Sequence, residues 1–373
     1  MGAYLSAPVT HKDSEDGQTS WLRHGCSSMQ GWRRSMEDAH IVGAEKGGAT
    51  LFGVFDGHGG AEVARYVARH MAEDFPEDWT KDPERTLKTL FHRMDERLRE
   101  PGNQEELATL SNKATAEGAG QLQASAPAGD EEEEGGEKVS VKEAFALFQQ
   151  MIAQSNARNA AAAPEGGQQP QIEQQRPTCH LPDHPLQAGC TSVVVAATPS
   201  TLWCANAGDS RAVVCRDGVA IPLSFDHKPN SEIESSRIQN AGGFVEPTNG
   251  MFRVNGNLNL SRAIGDLKYK GQEHLPVEAQ IITAEPDVLK HDVQPQDEFF
   301  ILACDGVWDI LSNQEAVDFV RTRIQAERAQ DREPQLSKIC EQVFDRCIAT
   351  NPRETRGLGG DNMTCVVVEV VKR

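Results

Sequence analysis

Two strongly apolar runs of this chain end in Asp-Gly, and a third begins directly after Asp-Asn. Leu51-Phe52-Gly53-Val54-Phe55 leads into Asp56-Gly57, and Phe299-Phe300-Ile301-Leu302-Ala303-Cys304 leads into Asp305-Gly306. Asp361-Asn362 immediately precedes the apolar stretch 363–371. Such runs read as buried strands. A carboxylate at the end of a buried strand is costly unless a cation or several donors meet it. One Asp-Gly by itself only marks a turn. Three apolar strands bounded alike by aspartate require a common partner, and converging carboxylates make a hard, oxygen-lined site suited to Mg²⁺ or Mn²⁺. A fourth acidic pair, Glu37-Asp38, stands just ahead of the apolar segment 39–42. Gly57 and Gly306 allow tight turns in which a backbone carbonyl also faces the site.

Two basic features lie beside these carboxylates. In Asp56-Gly57-His58-Gly59-Gly60, His58 sits next to the metal site and just before a helix. There it can be a ligand, a general acid or a satisfied structural group. Arg33-Arg34 lies upstream of Glu37, and a guanidinium fork near a dimetal site matches phosphate oxygens. Either arginine alone is ordinary surface charge; the combination points to phosphoryl chemistry.

The charge of the chain is unevenly placed. Its 373 residues carry 37 Lys+Arg against 56 Asp+Glu, a net of −19, and only 38% are hydrophobic. Residues 101–187 hold 13 acidic and 5 basic residues, so they account for −8 of that net. This Ala/Gln/Gly/Glu-rich segment cannot bury enough apolar area to offset its conformational entropy and is expected to be a solvated, acidic, low-complexity insert. Val141, Phe145, Phe148 and Ile152 recur at helical spacing within it, which predicts one amphipathic helix over 140–159. The net charge argues against a nucleic-acid surface spread over the whole protein. No apolar run is long enough to span a membrane, and the N-terminus has no secretory apolar segment. Nine cysteines form no CxxC pair, and Cys190, Cys204, Cys215, Cys304 and Cys365 lie in or beside apolar runs. They read as small core residues in a reducing compartment, not as disulfides, a zinc site or a nucleophile.

Around the insert the texture is that of a packed domain. Helical periodicity covers 59–75 and 83–98, the second with Asp82 and Pro83 as N-cap and first helical residue. Strand-like runs at 191–197, 202–207, 212–216 and 219–223 read as a β-meander. A helix follows over 231–241, then strands at 298–304 and 363–371 and helices over 313–325 and 335–349. Strands with a few long helices predict an α+β layered domain, helices covering faces of antiparallel sheets.

The motifs fall in a recognisable order: Arg33-Arg34-Ser35-Met36-Glu37-Asp38-Ala39-His40, Val54-Phe55-Asp56-Gly57-His58-Gly59-Gly60, Gly189-Cys190-Thr191-Ser192 and Ala205-Asn206-Ala207-Gly208-Asp209-Ser210-Arg211. Asp226-His227-Lys228-Pro229, Leu260-Ser261-Arg262-Ala263-Ile264-Gly265-Asp266, Ala303-Cys304-Asp305-Gly306-Val307-Trp308-Asp309 and Gly360-Asp361-Asn362-Met363-Thr364 complete the series. Over residues 1–100 and 188–373 the chain resembles the metal-dependent protein phosphatases (PPM, type 2C). Met1-Gly2-Ala3-Tyr4-Leu5-Ser6 and the acidic insert make it most similar to the gamma branch.

That resemblance implies one catalytic domain over 1–100 and 188–373, a central antiparallel β-sandwich flanked by helix pairs in four α-β-β-α layers. It implies a dimetal centre of two Mg²⁺ or Mn²⁺ ions, with Asp56 bridging, the Gly57 carbonyl on one ion, and Asp305 and Asp361 completing the other. Glu37 and Asp38 would hold bound waters, and Asp209 and Asp309 match positions linked to a third, weaker ion. Arg33 matches the phosphate-binding arginine and His58 the general acid. The implied reaction is hydrolysis of phosphoserine and phosphothreonine in protein substrates by direct attack of a water activated by the two ions. The competing class is a phosphatase-like scaffold that binds basic partners through its acidic insert. Intact Asp56, Asp305, Asp361, Arg33 and His58 speak against it. A monomer in the cytoplasm is expected, with the nucleus or a membrane as alternatives. Gly2 fits the N-myristoylation pattern, and one such chain gives only marginal, reversible membrane contact.

Overall fold

The computed structural model describes residues 4–111, 187–248 and 250–371, all within one compact unit. The strands are β1 (Val9–Gln18), β2 (Leu22–Gly31), β3 (Ala39–Lys46), β4 (Ala49–Phe55), β5 (Gly57–His58), β6 (Gly189–Cys190), β7 (Ser192–Ala197) and β8 (Thr201–Ala207). They continue as β9 (Arg211–Arg216), β10 (Val219–Pro222), β11 (Val245–Thr248), β12 (Met251–Val254), β13 (Ile264–Gly265), β14 (Asp287–Asp292), β15 (Asp297–Ala303) and β16 (Met363–Val370). A six-stranded sheet has the order β1-β2-β16-β15-β9-β10, and a five-stranded sheet the order β14-β8-β7-β4-β3. Every pairing in both is antiparallel.

Alternation along the central strands explains why they read as continuous apolar runs. On β15, Phe300 and Leu302 join Phe52 and Val54 of β4 and Val366 and Val368 of β16 in a core between the sheets. Phe299, Ile301 and Ala303 point the other way, into a second core with helices. That second core holds α5 (Asn313–Arg328) and α6 (Leu336–Cys347), preceded by a short α4 (Asp305–Trp308). The outer face of the five-stranded sheet packs on α1 (Glu62–Asp74) and α2 (Pro83–Arg99). The layers are therefore α-β-β-α, as expected. Asp82 caps α2, its side chain accepting from the Arg85 amide at 3.2 Å. Ser312 and Glu315 form a capping box on α5. Between α3 (Glu232–Asn240), capped by Ser231, and β13 lies the separate hairpin β11-β12. No helix among the described residues is long and apolar enough to cross a membrane.

Three local expectations need correction. The meander is two hairpins in different sheets: β7 and β8 pair in one, β9 and β10 in the other. The turn Gly208-Asp209-Ser210 carries the chain across the sandwich, a change of layer that strand spacing cannot reveal. Edge strands β1 and β14 were not foreseen, because an edge is kept polar and shows weak apolar alternation. The chain also stays helical over 104–111, with Leu107 and Leu110 in the core of α1 and α2, so packed structure runs past the junction expected at residue 101. The helix expected over 140–159 and Gly2 lie outside the described residues.

Candidate metal centre

The ends of β4, β15 and β16 meet at one mouth of the sandwich. Asp56 follows β4, Asp305 opens α4 directly after β15, and Asp361 precedes β16. Close backbone approach holds them together. A Cβ on Gly306 would lie 2.0 Å from the Asn362 carbonyl oxygen, and one on Gly57 would lie 2.3 Å from that of Glu37. Asn362 ties the loops, donating to the Gln30 and Ser35 carbonyls at 2.8 and 3.0 Å and accepting from the Glu37 amide at 3.0 Å. Gly306→Ala is therefore expected to cost about 1–3 kcal/mol and to weaken Mn²⁺ binding, read by melting and by calorimetry.

The carboxylates crowd one another in a partly buried site, with Asp56, Asp305 and Asp361 of intermediate exposure. Asp56 is pushed well above the usual carboxylate range, first by burial and then by Asp38, Asp305, Asp361 and Asp209. Asp305 is raised likewise, by burial and then by Asp209, Asp361 and Asp309. Asp38 is 7% exposed, and burial pushes it up to about 7 although the Thr364 hydroxyl donates to its Oδ2 at 2.7 Å. Its Oδ1 is buried without a hydrogen-bond partner. Ligand atoms of Asp38, Asp56 and Cys304 lie within 4.8 Å of one another. Repelling carboxylates with an orphaned oxygen fit a hard divalent cation, so the residues present suit the expected ions. Buried Cys304 is pushed up and stays a thiol.

One consequence concerns the metal-free protein. The folded state holds the Asp38 proton up to about pH 7, against 3.8 for an ordinary aspartate. Its stabilisation is fully present below about pH 4 and is lost as pH rises through about 7. The melting temperature in chelator should therefore fall across that window, and Asp38→Asn should flatten the fall.

The other expected residues sit around this cluster. Arg33 is half-exposed and donates from Nη2 to Asp361 Oδ2 at 2.6 Å. Burial opposes its charge, but Asp361, Asp56 and Asp305 more than offset that. Arg34 is exposed. Glu37 accepts from Ser35 at 2.7 Å and from the Gly60 amide at 3.2 Å. His58 Nε2 lies 2.6 Å from Asp266 Oδ2. Burial would lower its pKa, yet Asp266, then Asp209 and Glu37, raise it. Asp209 is buried, while Asp309 is exposed at the rim.

Two residues had gone unassigned in the sequence. Lys228 places its Nζ 2.6 Å from Asp209 Oδ2, where a third cation would compete with it. Asp266 orients His58 from a left-handed backbone conformation, φ 49°. Both stand inside motifs already noted, but only the fold shows which carboxylate each one faces.

Comparison with known proteins identifies the family. The family model described as Protein phosphatase 2C matches residues 22–122 and 115–355. "Probable protein phosphatase 2C 21" of Arabidopsis thaliana is 38% identical over 376 residues, covering 100% of this chain and 93% of that protein. "Probable protein phosphatase 2C 11" of Oryza sativa subsp. japonica is 40% identical over 378 residues, covering 100% and 91%. "Protein phosphatase 2C homolog 2" of Schizosaccharomyces pombe is 37% identical, covering 99% and 78%. Among solved structures, a phosphatase from Toxoplasma gondii superposes with a TM-score of 0.63 at 21% identity, covering 97% and 96%, a likeness of fold. The chain belongs to the protein phosphatase 2C family, the metal-dependent serine/threonine protein phosphatases.

Proposed function

We propose that this phosphatase hydrolyses phosphoserine and phosphothreonine at a centre of two Mg²⁺ or Mn²⁺ ions held by Asp56, the Gly57 carbonyl, Asp305 and Asp361, with Glu37 and Asp38 ordering water. The observation that carries the reading is the convergence of partly buried carboxylates, raised first by burial and then by one another, with Arg33 at their edge. Divalent cations bound there supply Lewis acidity, acidifying water and neutralising phosphoryl charge. The exposed Arg33 fork retains donors beyond the one on Asp361, and these suit phosphate oxygens. Asp266 engages Nε2 of His58, which leaves Nδ1 to deliver a proton to the departing seryl or threonyl oxygen. A third ion at Asp209 and Asp309 would bind more weakly because it must displace the Lys228 ammonium. Calorimetric titration of chelator-treated protein with Mn²⁺ should show two tight sites; a single site contradicts the reading.

His58→Ala should slow a phosphothreonyl peptide by about 10²–10⁴-fold. The loss should be much smaller for an aryl phosphate, whose leaving group needs no proton. Equal losses on both substrates would remove His58 from the general-acid role. The reading extends to a monomeric, mainly cytoplasmic protein with Gly2 as myristate acceptor and the acidic insert as a surface for basic partners. An unmodified N-terminal peptide from native cells, found by mass spectrometry, would retire the lipid.

A further inference from the structure

A second cluster of metal-ligating groups lies at the open edge of the sandwich. Glu15 on β1 stands directly opposite Cys26 on β2, so their side chains share one face. That face is the inner one, because Cys26 belongs to the core between the sheets. His40 on β3 pairs with Val54, also of that core, so it faces the gap from the other sheet. The three converge: His40 Nε2 is 3.1 Å from Glu15 Oε1, and ligand atoms of Glu15, Cys26 and His40 all lie within 4.8 Å of one another.

A fourth group stands beside them. His24 is two residues from Cys26 on the same strand and face, 9% exposed, with its ring against Phe52 at 5.5 Å between centroids. Its Nδ1 is buried and makes no hydrogen bond, and Glu15 is among the charges that act on it. Gly17 and Gly43 leave the room it occupies, since a Cβ on either would come within 2.3 and 2.6 Å of the imidazole. Mixed sulfur, nitrogen and oxygen donors differ in kind from the all-oxygen catalytic centre and select a borderline transition ion. Donors around tetrahedral Zn²⁺ stand roughly 3.3–3.8 Å apart given bonds of about 2.0–2.3 Å, so small side-chain shifts would close the set.

We propose that Glu15, Cys26 and His40, backed by His24, form a zinc-binding site that clips edge strand β1 of the six-stranded sheet to edge strand β3 of the five-stranded one. Glu15 is largely exposed and His40 partly so, which gives an ion a way in from solvent. Cys26 yields its thiol proton to solution as the ion binds. The clip secures the N-terminal strand two residues along from Asp38 without entering the catalytic centre.

Full-length protein, stripped with chelator and titrated with Co²⁺ as a spectroscopic stand-in, provides the test. A cobalt–thiolate charge-transfer band should grow to one equivalent and be displaced by Zn²⁺. The band should persist in Asp56→Ala and vanish in Cys26→Ser. Glu15→Gln, an exposed change that leaves the fold intact, should weaken Co²⁺ binding at least about tenfold, since even outer-shell losses cost 10–100-fold. Both Cys26→Ser and Glu15→Gln should keep Mn²⁺-dependent phosphate release, which separates this site from the catalytic reading. Absence of the band, its survival in Cys26→Ser, or unchanged Co²⁺ affinity in Glu15→Gln would each overturn the proposal.

Discussion

Asp56→Ala and Asp305→Ala should each lower Mn²⁺-dependent phosphate release by at least about 10³-fold, while the protein stays folded. Losing one group that stabilises transition-state charge typically costs 10²–10³-fold, and here the change also removes a metal ligand. Stability should move the opposite way from an ordinary core lesion. Burial and neighbouring carboxylates raise both aspartates, so an alanine relieves repulsion in the metal-free state. Metal-free variants should therefore melt no lower than metal-free wild type. Mn²⁺ at about 100 times its dissociation constant should stabilise wild type by about 2.7 kcal/mol. At about 2.1 cal/mol/K per residue a chain of this size shifts by roughly 1–2 °C per kcal/mol, so the gain is roughly 3–5 °C, and the variants should lose most of it. Retention of most activity by either variant contradicts the ligand assignment.

Glu234→Ala should be the most destabilising single change outside the core. Glu234 is 2% exposed and accepts from Arg262 Nε and Nη2 at 3.0 and 2.8 Å and from Arg237 Nη2 at 2.7 Å. Arg262 continues to Asp287 at 2.8 Å, and His227 Nε2 lies 3.2 Å from the same carboxylate. Together they moor α3 to β14 and to the motif that bears Lys228. Removing the glutamate leaves the Arg237 guanidinium with backbone carbonyls but no carboxylate and Arg262 with Asp287 alone, which costs about 3 kcal/mol, the lower end of the range for breaking a buried pair. Burial alone would raise the Glu234 pKa, but the two arginines hold it down at about 2. Its stabilisation is therefore present above about pH 4.5 and is lost as pH falls through about 2. The gap in melting temperature between wild type and Glu234→Ala should be constant near neutrality and shrink in that acid window. A loss of unfolding free energy below about 1 kcal/mol at neutral pH, the range of an exposed pair, contradicts the mooring.

The aspartates proposed as metal ligands were legible in the chain because a carboxylate after Phe55 or Cys304 breaks an apolar run at a point where no surface is available. Both faces of β4 and β15 are buried, so their sequences announce themselves. β1 carries the same fold information in a polar sequence, and its place emerges only from its pairing with β2. Long-range partners were hidden for the same reason. Lys228 and Asp209 are separated by a change of layer, and His58 reaches Asp266 across more than half the chain. Cys26, His40 and Glu15 had no sequence signature, since their meeting depends on how two sheet edges close. Leu107 and Leu110 were obscured by polar neighbours, although their spacing was helical.

The central claim is that the converging carboxylates at the mouth of the sandwich work only with a divalent cation. Initial rates of phosphate release from a phosphothreonyl peptide, measured on chelator-treated protein during Mn²⁺ titration, test it most directly. The expected result is no release above background without the ion and a saturable return with it, greatly diminished in Asp361→Ala. A full rate in excess chelator, or equal rates for wild type and Asp361→Ala in saturating Mn²⁺, would contradict it.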